Sequence, residues 1–405
     1  MFRKLLSTVT SMGVMAGLVT VGAVATAGPA AAATFNIFPY EDSQDNPTLA
    51  SQCGLDFGLV LDSSGSIGGD IGNLKLAANA FVDALVDTGS KVAVTSFSTG
   101  SPGTGGTNLE PTALTSENLE TVKASYKDLQ SDGWTNWRQG LQDMKDYYPP
   151  TKQWKPKLMV FITDGNPNTI NANKGGEFSD GAKGAVDPAI DVANQMKLAG
   201  TKMFGIAVGS VSLNPIKAVT NKVPYDGTNF PTAGYVQTDS YDKLAQQLRE
   251  LAVDLCAPSL TITKQVDTPD TQGFVPADGW TFDTTVTIPT TGKWVNPTTD
   301  AISANVASTK SADTSNGGAV NFQWKPDSNV ATNPVIVKET LKGGYERDPQ
   351  LVCVAKNVLA NPPTQRNITP TVDGNGNWNL GSIDSREIVT CTAQNTLTKL
   401  NLTKV

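Results

Sequence analysis

Histidine is absent from all 405 residues. That absence removes the commonest general base, the Ser-His-Asp triad and any histidine-ligated zinc site. Cysteine is sparse, at four residues, and no Lys/Arg-rich block follows the first few positions, so the basic footprint of a nucleic-acid binder is missing. There is no G-x-x-x-x-G-K-[ST] phosphate loop, no G-x-S-x-G around Ser64 or Ser66, and no carboxylate pair with an evident acid/base role. These gaps argue against an enzyme. What is present suits ordinary globular domains: 39% hydrophobic and 17% charged residues, a formal net charge of -7, and length for two or three domains.

The first residues read as an export signal. Arg3 and Lys4 precede a mostly apolar Leu5–Val24 segment, and "AGPAAAATF" offers a cut near Ala33–Thr34. Export makes disulfides available to the four cysteines. From Leu55 onward, apolar strand candidates ("LDFGLVLD", 55–62; "KVAVTSF", 91–97; "KLMVFITD", 157–164; "TKMFGIAVG", 201–209) alternate with helical stretches at 73–86, 116–129, 136–147, 186–199 and 240–256. Alternation of this kind predicts a doubly wound parallel sheet whose functional groups gather beyond the strands' C-terminal ends. After Cys256 the helical period gives way to period two. "LTITKQV", "WTFDTTVTI", "AVNFQW", "PVIVKETL" and "EIVTCTAQNTL" read as strands of an antiparallel sandwich. "LNLTKV" (400–405) repeats "LTITKQV" (260–266) apart from one residue, as though a further module began there.

The stretch "LVLDSSGSIGGD" (59–70) ends an apolar run in an aspartate followed by serines and glycines. Such a cluster suits a nucleophile, a helix cap or a metal cage. Asp62, Ser64 and Ser66 form a D-x-S-x-S motif; Thr135 in "DGWTNWRQGL" precedes a helix; Asp164 in "VFITDGN" ends a strand. In that order, on those elements, the five residues resemble the metal-ion-dependent adhesion site of the von Willebrand factor A family, over roughly Leu55 to Leu255. The resemblance implies that Asp62, Ser64, Ser66, Thr135 and Asp164 hold Mg²⁺ or Mn²⁺, some through water. Hydroxyl ligands add no charge, so the cation stays electrophilic enough to take a partner's carboxylate. Each residue also has an ordinary reading: Ser66 as a helix cap, Gly65 and Gly68 as turn formers, Asp164-Gly165 as a turn. Trp134 and Trp137 flank the threonine, and either pack the loop or form an aromatic ligand rim. Asn- and Gly-rich loops at 98–108 and 165–185 are expected beside them.

Four cysteines allow three pairings. Cys53 precedes the first strand and Cys256 follows the last helix, both at the base of a doubly wound domain. Pairing them, and Cys353 with Cys391, keeps each bridge inside one domain. In the sandwich, alternation points Lys264, Glu339 and Asn395 at a core, where charge is costly unless paired. This pattern, with "VKETLKGGYE" (337–346), resembles the collagen-adhesin B-type and pilin modules of Gram-positive surface proteins. There a first-strand lysine and a last-strand asparagine form an isopeptide bond assisted by an acid, the roles implied for Lys264, Asn395 and Glu339. The outward alternative has Lys264 snorkelling and Asn395 in a turn. "TVDGNGNWNL" (371–380) lacks the glycine and distal glutamate of a calcium loop and reads as a hairpin turn.

The expected organisation is therefore multidomain: an α/β doubly wound parallel sheet followed by an all-β sandwich. Residues 1–33 form the signal peptide, 34–52 an N-terminal segment, 53–257 the metal-dependent domain, 258–397 the sandwich stalk, and 398–405 a further first strand. The resemblance implies a non-enzymatic, secreted adhesin on a Gram-positive cell wall. Its partner is an extracellular protein or glycan, with other pilus or surface subunits as further contacts. The alternative is a structural assembly module without a host ligand.

Overall fold

The computed structural model describes residues 40–398 apart from 41, 50, 288–292, 296–308, 327–331 and 361. The export signal expected over 1–33 and the repeat over 400–405 lie outside the described residues. The α/β domain is built on β1 (Phe57–Asp62), β2 (Lys91–Phe97), β3 (Leu109–Ala113), β4 (Leu158–Thr163), β5 (Lys202–Val208) and β6 (Tyr235–Thr238). Their order is β3-β2-β1-β4-β5-β6, parallel throughout except for the edge strand β3. Around them lie α1 (Ile71–Leu85), α2 (Leu119–Lys127), α3 (Trp137–Lys145), α4 (Lys183–Leu198), α5 (Leu213–Val219) and α6 (Tyr241–Cys256).

Helices on both faces explain why the central strands are apolar without alternation. Leu59, Leu61, Val160 and Ile162 join the core that contains α1 and α6. On the other face, the Thr95 hydroxyl donates to the Gly140 carbonyl of α3 at 3.0 Å. Phe161 meets the Trp137 ring edge-on at 5.1 Å on that same face. The strand order reverses between β1 and β4, and a doubly wound sheet opens its binding crevice at the C-terminal ends of such a pair. Sequence patterning did not anticipate β3, α5 or β6, which have only 5, 7 and 4 residues.

The sandwich comprises β7 (Ser259–Asp267), β8 (Val275–Pro276), β9 (Thr281–Val286), β10 (Lys293–Trp294), β11 (Thr309–Asp313) and β12 (Ala319–Lys325). It continues with β13 (Thr332–Glu339), β14 (Tyr345–Asn357), β15 (Thr364–Ile368), β16 (Thr371–Val372), β17 (Trp378–Asp384) and β18 (Ile388–Leu397). One sheet runs β10-β12-β7-β18-β14-β15 with β8 beside β7, and the other runs β11-β9-β13-β17-β16. Between them Phe282, Trp324, Val335, Trp378 and Ile383 form an apolar core. The sandwich is antiparallel as expected, apart from one pairing among the described strands. The first and last strands, β7 and β18, lie side by side in the same direction, with Ser259 opposite Ile388. The 371–380 stretch is a hairpin from β16 to β17, in which Asp373 accepts from the backbone N–H groups of Asn375 and Asn377.

Cys53 is bonded to Cys256, and Cys353 to Cys391 across the facing positions of β14 and β18. The two domains meet without a spacer. Val358 and Ile388 of the sandwich belong to the α/β core. Gln323 accepts from the Cys53 N–H at 2.8 Å and donates to the Leu255 carbonyl at 2.9 Å. The Lys356 ammonium reaches the Asp83 and Val86 carbonyls at 3.4 and 3.5 Å, at the end of α1 where a helix dipole favours a cation. No helix among the described residues is long and apolar enough to cross a membrane.

Candidate metal centre

Asp62 closes β1 and Asp164 follows β4, which puts both carboxylates in the crevice at the reversal of strand order. Asp62 is fully buried. Its Oδ1 accepts from the Ser64 N–H at 2.8 Å and its Oδ2 from the Thr163 hydroxyl at 2.6 Å. The Ser64 and Ser66 hydroxyl oxygens lie 3.1 Å apart, and the Ser66 O–H donates to Asp164 Oδ1 at 2.6 Å. Ser66 therefore does not cap α1, whose N-cap residue Asp70 itself makes no side-chain cap bond. Thr135 enters from a second loop. A Cβ placed on Gly165 would lie 3.3 Å from Ser66 Oγ and 3.4 Å from Thr135 Oγ1, so the three loops enclose one small cradle that glycine leaves open.

Backbone bonds fix that arrangement. The Gly65 N–H donates to the Gly133 carbonyl at 3.0 Å, and the Asp132 N–H to Ser63 O at 2.9 Å. The Ser131 hydroxyl donates to Ser64 O and accepts from the Gly68 N–H, both at 2.8 Å. Asn168 accepts from the Thr135 N–H with its side chain at 2.9 Å and donates its own N–H to Thr135 O at 3.0 Å. Thr163, Ser131 and Asn168 went unremarked in the sequence. Thr163 alone carried a signal, since it precedes Asp164 and alternates in phase with Phe161.

Electrostatics show what the site lacks. Burial pushes the Asp62 carboxyl up to about 7, and the nearby charge of Asp164 adds to the rise. Asp164 is likewise raised, chiefly by burial. Two acids held among hydroxyl donors, one buried and one half-buried, are short of positive charge. A hard cation with oxygen ligands fits that deficit, and its charge would reverse both shifts. Among the described residues no group of three or more acidic, cysteine or histidine side chains is placed to hold a metal, so any ion here would depend on the hydroxyls of Ser64, Ser66 and Thr135.

Only one of the two tryptophans is at the rim. Trp137 is fully buried, its Nε1–H donating to the Gly165 carbonyl at 3.1 Å. As the first residue of α3 it turns toward the sheet, so of the two expected readings Trp137 takes the packing one and is not part of a rim. Trp134 remains 48% exposed. Its N–H donates to Thr99 Oγ1 at 2.9 Å, and Gly175 and Gly176 pack on its indole with no space for a Cβ. The loops expected over 98–108 and 165–185 thus meet at this residue, the first on its backbone and the second on its ring.

A second polar cluster lies inside the sandwich. Lys264 and Asn395 are fully buried and Glu339 nearly so. Lys264 Nζ stands 2.8 Å from Glu339 Oε1, outside hydrogen-bond geometry, and the Asn395 amide donates to the same oxygen at 2.8 Å. Glu339 Oε2 and Asn395 Oδ1 have no partner. Burial lowers the Lys264 pKa, with Glu339 opposing the shift, and the Trp280 ring lies 4.5 Å from the amine. The outward-snorkelling alternative is excluded by this burial.

The sequence profile of the von Willebrand factor type A domain matches residues 56–240. No curated protein matches the chain. Among solved structures, proximal thread matrix protein 1 from the mussel byssus is 20% identical over 54% of this chain and 53% of that one, with a TM-score of 0.36. The pilus adhesin SpaC from Lactobacillus rhamnosus GG, in its open conformation, is 12% identical over 88% and 57% of the two chains, with a TM-score of 0.38. Manganese-loaded TRAP protein from Plasmodium vivax is 14% identical over 67% and 97%, with a TM-score of 0.36. The chain spans about half the length of the byssus protein. Residues 56–240, with their parallel sheet and flanking helices, are a von Willebrand factor type A domain, followed by a β-rich region.

Proposed function

We propose that the chain is a secreted surface adhesin that binds its partner through a divalent cation held by Asp62, Ser64, Ser66, Thr135 and Asp164. The observation that carries this reading is the convergence of one buried and one half-buried carboxylate and three hydroxyl side chains from three loops on one glycine-lined cradle. The all-oxygen donor set suits Mg²⁺ or Mn²⁺. Such an ion supplies a Lewis-acidic point for one carboxylate oxygen of an extracellular protein or glycan. Asp62 and Asp164 balance its charge, the serines and Thr135 ligate without adding more, and Trp134 offers an apolar surface to the ligand. The function is binding without turnover, because the groups around the site are hydroxyls and two carboxylates with no separate base.

The sandwich supports display of this site at the surface of a Gram-positive cell. Its buried trio is arranged for an isopeptide bond. The neutral Lys264 Nζ attacks Asn395 Cγ, the Nζ–Cγ bond forms, the Cγ–Nδ2 bond breaks and ammonia leaves, with Glu339 relaying the proton.

Thermal unfolding of the full chain in EDTA, Mg²⁺ or Mn²⁺, beside Asp62→Ala, tests the metal reading. A metal-dependent rise in midpoint, lost in the variant, is expected. No shift in either protein would sink it. Metal-dependent capture of surface subunits alone, with no binding to matrix or cells, would turn the reading to an assembly module.

A further inference from the structure

Tyr241 opens α6, three residues after β6 ends, at the same edge of the sheet as Asp62 and Asp164. Its side chain is 4% exposed and belongs to the core shared by α1 and α6. Its hydroxyl is buried and has no hydrogen-bond partner among the described residues. Other phenols of this domain are satisfied: Tyr126 donates to Asn79 Oδ1 at 2.9 Å, Tyr148 shares a 2.6 Å bond with Thr201, and Tyr225 reaches Asp254 at 3.3 Å.

A buried O–H without a partner costs about 1–3 kcal/mol, which phenylalanine at the same position would avoid. The charges that act on this hydroxyl are those of Asp62, Asp164 and Asp70, after burial itself. All of them push its pKa up, so it remains a proton donor. A buried, unpartnered donor at the same sheet edge as these carboxylates, within reach of their charge but not bonded to them, suits a bridging water.

We propose that Tyr241 is a positioning residue of the metal centre, its O–H holding a water that orients the carboxylates of Asp62 and Asp164 for the cation. The proposal rests on the metal reading above. It extends the residues that support the site from three loops to the first turn of α6, which the D-x-S-x-S motif and its two partner positions do not include. Partners behind metal ligands commonly set affinity through orientation, without themselves touching the ion.

The test compares the full chain with Tyr241→Phe and Tyr241→Leu, reading Mn²⁺ affinity by titration calorimetry and the thermal midpoint in EDTA. Tyr241→Phe should keep or raise the EDTA midpoint while weakening Mn²⁺ binding roughly tenfold. Tyr241→Leu, which also loses packing, should lower the EDTA midpoint. Unchanged Mn²⁺ affinity in Tyr241→Phe would overturn the proposal. So would a loss of affinity accompanied by a matching fall in its EDTA midpoint, which would make the hydroxyl a packing element. A wild-type chain that binds no Mn²⁺ would overturn the metal reading itself and this proposal with it.

Discussion

The two domains bury charge in opposite ways. In the α/β domain, Asp62 and Asp164 share a crevice with hydroxyls, and burial raises the pKa of both, helped by the charge of Asp164 on Asp62 and of Asp70 on Asp164. In the sandwich, Lys264 and Glu339 meet at 2.8 Å with Asn395 on the same oxygen. On the proposed reading the first arrangement takes an outside cation, while the second holds its own partner in Glu339 and the atoms of a covalent bond. Buried polar groups would then serve a reversible site in one domain and a permanent link in the other. What separates them is whether the opposite charge comes from the chain.

The largest effect that would break this contrast is expected in the sandwich. Lys264→Ala leaves Glu339 buried without its partner and should cost about 3–5 kcal/mol in denaturant unfolding. Intact mass supplies the covalent check: wild type should fall one ammonia below the sequence mass, and Glu339→Ala should restore it. Replacing both Cys53 and Cys256 by serine should lower the stability of the α/β domain by about 2–5 kcal/mol, measured by guanidinium unfolding, because a long loop is released in the unfolded chain.

In the crevice, Asp62→Ala should abolish a metal-linked gain of about 2.7 kcal/mol at a hundredfold excess over Kd. Its pH dependence has a definite sign. The folded Asp62 holds its proton up to about 7, well above an unfolded aspartate, so in EDTA its contribution to stability is lost as pH rises through that window. Metal binding requires the carboxylate, so Mn²⁺ affinity should fall by up to about tenfold per pH unit below 7. The smallest effect on stability is expected for Trp134→Ala: a change within about 0.5 kcal/mol, with Mn²⁺ affinity retained and ligand capture weakened in a surface binding assay.

Much of this was legible in the sequence because it lies on long, strongly patterned elements. The runs ending at Asp62 and Asp164 are apolar throughout, and alternation alone put Lys264, Glu339 and Asn395 on the core side. The missing parts are short or set by tertiary contact. The four-residue β6 and seven-residue α5 carry too few positions for a period to show. Trp134 and Trp137 look equivalent in "DGWTNWRQGL", yet the first belongs to a loop and the second begins a helix that turns it inward. The parallel pairing of β7 with β18 joins segments over a hundred residues apart, and no local pattern encodes it. Tyr241 reads as one more apolar helix position until its hydroxyl is found buried without a partner at the acids' edge of the sheet.

The junction between the domains has a mechanical consequence. β1 begins at Phe57, four residues after Cys53, and ends at Asp62, six residues at about 3.3 Å each, so the strand runs roughly 20 Å to the crevice. Tension between a ligand at the crevice and the sandwich would therefore run nearly along this central strand. It would load the β1–β2 and β1–β4 ladders in shear, all their hydrogen bonds at once, and would not peel them apart one by one. With Lys356 pinning the end of α1 and Val358 and Ile388 set into the α/β core, the pull meets no slack segment between the domains.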